Sequence, residues 1–186
     1  MPTDAAPPPG SLTDPAVTSL AHDLGITLGE AAQRIGWQSA VTDDVQRSIV
    51  DELGDRFGGL WFDTGTSRLT IGIVSPGASP VPAADLRSVR SAGLAAVTDT
   101  VAVQWSAAEL DVVGDELGAE LVRVNGGGPP CALAMGQVPP LNAVFLDVPS
   151  GPLSAAQQEL VDSVTARHGT KVRVRHVPGD GYFISH

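Results

Sequence analysis

The sequence predicts an α+β fold: N-terminal helices with a β-hairpin/helix lobe, followed by a smaller β-α-β lobe. Three observations carry this expectation. Apolar residues recur at helical spacing over the first third of the chain, the pattern changes to strand-like runs across residues 57–74, and a strand–helix–strand pattern appears after a Gly-Pro break near residue 125. Hydrophobic residues fill 42% of the 186 positions and charged residues 17%, apolar enough to bury a core and too sparsely charged for a wholly disordered chain.

Residues 1–13, rich in Pro and Ala with Pro7-Pro8-Pro9 in a row, read as a disordered, extended tail. Asp14 before Pro15 starts a short helix that ends at Gly25. Thr27 and Glu30 then fit a capping box, in which each side chain satisfies an amide that the first helical turn leaves unpaired. Beyond them Leu28, Ala31, Ala32, Ile35, Val41, Val45, Ile49 and Leu53 predict one long helix closing near Gly54, weakened or bent at Gly36. Residues 57–62 and 68–74 flank Asp63-Thr64-Gly65-Thr66-Ser67 as a hairpin. Pro76, Pro80 and Pro82 mark a loop, residues 83–92 a helix ended by Gly93, and residues 101–105 a strand. Ser106 with Glu109 opens a helix over residues 107–118 by the same capping logic. Asn125-Gly126-Gly127-Gly128-Pro129-Pro130 begins a linker over residues 125–140, which separates a lobe at 14–124 from one at 141–186. In the second lobe residues 142–148 read as a strand, Ser154 caps a helix ending at His168-Gly169, and residues 171–175 alternate as a strand with one charged face. Trp37, Trp61 and Trp105 are expected as core anchors.

Composition excludes several function classes. Eleven Lys+Arg against 21 Asp+Glu give a formal charge of −10, and Lys171 is the one lysine, so nucleic acid is not an expected partner. Cys131 stands alone, which leaves no internal disulfide and no Cys-based zinc site. No apolar run approaches the roughly 20 residues of a membrane span. His22, His168, His176 and His186 are scattered, with no His-x-x-x-His pair, so no metal is expected. Gly126-Gly127-Gly128 lacks the Gly-Lys of a phosphate loop, and no Gly-x-Ser-x-Gly elbow exists, so no cofactor and no serine nucleophile are expected. Asp63-Thr64-Gly65-Thr66 after an apolar strand has the form of an aspartic-protease loop, whose chemistry needs two aspartates sharing a proton. One copy would serve only in a homodimer. A polar hairpin turn accounts for the same residues, and an aspartic-type peptidase dimer using Asp63 stands as the alternative.

Leu24-Gly25-Ile26-Thr27, Glu30-Ala31 and Arg34, followed by Gly54-Asp55-Arg56-Phe57-Gly58-Gly59-Leu60-Trp61-Phe62-Asp63 and Leu69-Thr70-Ile71-Gly72-Ile73, resemble the pro-region of secreted serine proteases of the alpha-lytic protease and streptogrisin type. Ser106-Ala107-Ala108-Glu109-Leu110-Asp111 is similar to that family's Ser-x-x-Glu-Leu helix start, and Asn142-Ala143-Val144-Phe145-Leu146-Asp147-Val148 to the strand opening its C-terminal lobe. The resemblance covers most of residues 20–180. Gly179-Asp180-Gly181-Tyr182-Phe183-Ile184 also resembles the beginning of the mature streptogrisin protease, with Pro178 where the family has a glycine.

The resemblance implies a non-catalytic prodomain, monomeric when free, that acts as folding chaperone and inhibitor of a chymotrypsin-fold serine endopeptidase. Its C-terminal lobe would extend a sheet with a hairpin of the protease and its tail would lie in the substrate cleft, with Arg173, Val174 and Arg175 nearest the nucleophile. It implies an extracellular location, whereas an N-terminus without the basic and apolar regions of a signal peptide predicts the cytoplasm for a complete chain. A binding or scaffold module reusing the same fold is the second alternative.

Overall fold

A computed structural model describes residues 10–63, 66, 68–125 and 134–178. It is α+β, with six α-helices and two three-stranded sheets among the described residues. Two compact units divide the chain, one formed by Met1–Gly54, Phe62–Ile71 and Val81–Thr100, the other by Asp55–Trp61, Gly72–Pro80 and Val101–His186. Each is assembled from separate stretches of sequence, so the boundary does not fall at the Gly-Pro segment where a linker was expected.

In the first unit α1 (Pro15–Leu24) begins as its sequence predicts: the Asp14 carboxylate accepts the Ala16 amide at 2.9 Å, and Gly25 closes the helix at φ 64°. Helix α2 (Leu28–Ala40) carries the capping box of Thr27 and Glu30. Val17, Ala21 and Ala31 form the buried seam between these helices, with Leu20, Ile26, Ala32 and Ile35 against it. The one long helix expected to reach Gly54 is instead two, because Thr42 caps a new helix, α3 (Asp43–Leu53), by accepting the Val45 amide on its hydroxyl at 3.3 Å. Asp43 and Asp44 favour that start, lying where the helix dipole is positive.

Helix α2 runs through Gly36, the expected weak point, without a break, and a Cβ at Gly36 would meet nothing within 4 Å. Gly10, at φ 77°, lies so close to α2 that a Cβ built on it would be 2.6 Å from the Ala32 carbonyl oxygen and 3.1 Å from the Gly36 nitrogen. Gly10 therefore lies against α2, where a free tail was expected to reach residue 13, while Leu12 and Thr13 are exposed. Residues 1–9 lie outside the described residues.

The helix expected over residues 83–92 is a 3₁₀ turn followed by α4 (Arg87–Ser91). The strands β1 (Phe57–Asp63), β2 (Arg68–Val74) and β3 (Thr98–Val103) form a sheet in that order. In the central strand Leu69, Ile71 and Ile73 are buried; full burial of such a side chain is worth roughly 1.5–3 kcal/mol. Two glycines make room for the third strand: a Cβ on Gly58 would sit 2.2 Å from a Val103 methyl, and one on Gly72 3.1 Å from the other.

The second unit contains α5 (Ala107–Asn125), β4 (Ala134–Val138), β5 (Ala143–Pro149), α6 (Ala155–His168) and β6 (Val172–Val177). Helix α5 runs beyond the expected end at 118 because Leu117 and Leu121 continue the buried stripe begun by Leu110 and Val113. It shares one core with Val144, Leu146 and Val148 of β5, Leu160 and Val164 of α6, and Val172 of β6. Residues 134–138, expected within the linker, form a strand. None of the three tryptophans is fully buried; Trp105 packs at the margin of this core with the Lys171 ammonium 4.5 Å above its ring.

Candidate functional site

The feature of the second unit with most scope for recognition is its sheet, of order β4-β5-β6. β4 and β5 are antiparallel, with Gly136 opposite Phe145; β5 and β6 are parallel, with Phe145 beside Arg173 and Asp147 beside Arg175. The parallel pair needs a crossover, and α6 supplies it, started by the reciprocal capping of Ser154 and Gln157. Among the described residues, β4 and β6 are the two margins.

The backbone register decides what the β6 margin offers. The Ser150 amide donates to the Val177 carbonyl at 2.9 Å. Alternation along a parallel ladder then turns the N–H and C=O groups of Val177, Arg175 and Arg173 towards β5, and those of Val172, Val174 and His176 outward. An outward row of this kind is a template for another strand.

The two faces of the sheet differ. On one, Val172 and Val174 join the core with the helices. Carboxylates along α5 tie that layer together: Glu109 binds Lys171 at 3.0 Å, Glu116 meets the His168 ring at 3.4 Å, and Glu120 accepts from Arg167 at 2.8 Å. The Ser106 amide, and then the Lys171 ammonium, hold the Glu109 carboxyl below its ordinary range against a small opposing effect of burial. On the other face, the Arg175 guanidinium grips both Asp147 oxygens, at 2.7 and 2.8 Å, and lies 4.3 Å over the Phe145 ring. The hydrogen bond to Asp147 raises the Arg175 pKa. Paired and stacked in this way, the side chain is held in one place.

The three residues expected nearest a protease nucleophile therefore have separate fates. Arg173 is exposed, Val174 is half-buried against the core, and Arg175 is engaged by its own sheet. All three belong to a paired strand, which differs from a tail lying free in a cleft; residues 179–186, which follow it, lie outside the described residues. Asp63 is exposed at the end of β1, where its carboxylate accepts the Thr66 amide at 2.9 Å, the short-range bond of a polar turn. Thr64, Gly65 and Ser67, the glycine run 126–128, Cys131 and His186 lie outside the described residues. Among the described residues no three His, Cys, Asp or Glu side chains are placed to hold a metal ion, and no helix is long and apolar enough to cross a membrane.

Two devices had no signal in the sequence. Asn142, at φ 46°, accepts the Gln104 and Trp105 amides on its side-chain oxygen at 3.0 and 2.7 Å and donates to the Trp105 carbonyl at 2.8 Å. In the first unit, Glu52 of α3 caps α4, accepting the Arg87 and Ser88 amides, each at 2.8 Å, and the Ser88 hydroxyl at 2.7 Å. The neighbouring cleft, of about 610 Å³, is lined by Asp44, Val45, Ser48, Asp51, Arg87 and Ser91, among others. Neither a protein-family model nor a curated protein matches this chain.

Proposed function

We propose that this chain is a non-catalytic, prodomain-like protein that assists the folding of, and inhibits, a chymotrypsin-fold serine endopeptidase of the alpha-lytic and streptogrisin type. The observation that carries the reading is the margin of β6, with three successive outward-facing peptide groups at Val172, Val174 and His176 and no strand beyond them among the described residues. The sequence resemblance supplies the partner class.

Strand addition would work as follows. A hairpin edge of the enzyme pairs with β6, and main-chain hydrogen bonds provide the affinity. The packed layer of α5 and α6 keeps β6 straight and in register, so little ordering has to be done at the moment of binding. A binder that fits the folding transition state of its partner lowers the barrier, and each 1.4 kcal/mol of that preference is worth about tenfold in rate. Residues 179–186 follow β6 directly and would pass along the enzyme, as the family's tail does in its substrate cleft.

The test uses mature alpha-lytic protease and its denatured form. The chain at micromolar concentration should inhibit the native enzyme and raise the yield of active enzyme on refolding. His176→Pro removes an amide that faces away from β5, so the parallel ladder survives. It should weaken inhibition by tenfold or more while leaving the circular dichroism spectrum intact. Wild-type protein that neither inhibits nor refolds the enzyme would refute the reading.

A further inference from the structure

We propose that Arg173 selects the strand that adds to β6, and that this strand is amphipathic, carrying Asp or Glu beside Arg173 and apolar residues on the side of the helices. The inference rests on the reading of β6 as a docking margin and specifies the partner's chemistry. Arg173 and Arg175 occupy the same face of the strand, next to Phe145 and Asp147 respectively. Arg175 takes both Asp147 oxygens and covers the Phe145 ring, so the only carboxylate and the only aromatic ring in register with these arginines on β5 are already engaged. Phe145 is 4% exposed, which leaves no open ring face for a second guanidinium. Arg173 is exposed on the outermost strand, with no acidic partner among the described residues, in a chain whose formal charge is −10.

A strand paired to β6 brings a side chain of its own within about 5 Å of the Arg173 Cβ, where opposite charges attract and like charges repel. On the other face Val172 is buried, Val174 is half-buried against the helix layer and His176 is exposed, so Val174 is the apolar neighbour that an added strand meets there. Alternation of the two faces then defines the partner: apolar and acidic residues at successive positions.

The experiment titrates isotope-labelled full-length protein with acetylated heptapeptides of alternating valine and threonine that carry glutamate, glutamine or lysine at the centre, followed by backbone amide resonances. The glutamate peptide should shift the amides of Val172, Val174 and His176 and bind about two- to fivefold more tightly than the glutamine peptide, with lysine weakest. Arg173→Gln should abolish that order, Arg173→Glu should reverse it, and high salt should compress it. Equal affinities, an order that survives Arg173→Gln, shifts confined to other strands, or no binding at millimolar peptide would each overturn the proposal. So would self-association of Arg173→Gln without charge selectivity, which would make Arg173 a guard against edge-to-edge pairing. The protease reading fails separately: the charge order with no effect on alpha-lytic protease removes the partner class, and inhibition without the charge order removes only the selectivity.

Discussion

Asn142 shows how much one side chain can organise. Its carboxamide satisfies two amides and one carbonyl at the start of α5, and its backbone holds a left-handed conformation that few residues other than glycine accept. Asn142→Ala removes the hydrogen bonds and adds strain, and we expect a loss of about 2–4 kcal/mol in urea unfolding. Asn142→Gly keeps the backbone at ease and should lose less. Equal losses would show that the conformation matters little beside the bonds. Nothing in the sequence singles Asn142 out, because its partners at 104 and 105 are distant in the chain. Arg175 was legible only as a charge on an alternating strand; that it would be consumed by Asp147 depends on a parallel register that periodicity does not set.

At the scale of elements, local signals are legible in the sequence and long-range ones are not. Asp14, Thr27, Ser106 and Ser154 all cap the helices they were expected to start, since a cap depends on residues two or three apart. The break at Thr42 is hidden in the sequence because Val41, Val45, Ile49 and Leu53 continue a helical period through it. Two helices can share one hydrophobic stripe, and the stripe hides the corner between them. Thr42→Ala should therefore destabilise the protein by about 1 kcal/mol, measured as a fall in melting temperature, with Thr42→Ser restoring most of it. If the alanine variant melts as the parent does, the hydroxyl is not what starts α3. Strand β4 is hidden for another reason: Ala134-Met135-Gly136-Gln137-Val138 has little β propensity, and pairing with β5 makes it a strand.

For the whole molecule, acid should be the main enemy. The carboxyls of Glu30, Asp99 and Glu109 are held below their ordinary values, by the Thr27 amide, the Arg68 guanidinium and the Ser106 amide respectively. For Glu52 burial acts the other way, but the amides and hydroxyl at Arg87 and Ser88 outweigh it. A folded pKa below the unfolded one contributes stability above the unfolded value, near 4.3 for Glu and 3.9 for Asp, and loses it as pH falls through the folded value. The melting temperature should stay level from about pH 7 to about pH 5 and drop below about pH 4. Glu109→Gln should lower it at neutral pH and make the acid decline shallower. A melting curve that rises on acidification would contradict the assignment.

The discontinuity of the second unit has a consequence for synthesis. Asn142 donates to the Gly58 carbonyl across 84 positions at 3.4 Å, and residues 55–61 and 72–80 belong with everything after 100. A ribosome releases those early stretches before residues 101–186 exist. Helices α1 to α3 and the β1–β2 pairing can form as they emerge, but β4, Asn142, β5 and β6 come only with the last third of the chain. A fragment stopped at residue 125 holds all of the β1-β2-β3 sheet and none of β4-β5-β6, so α5 there exposes the stripe of Leu110, Val113, Leu117 and Leu121 and should bind a hydrophobic dye that the full chain does not.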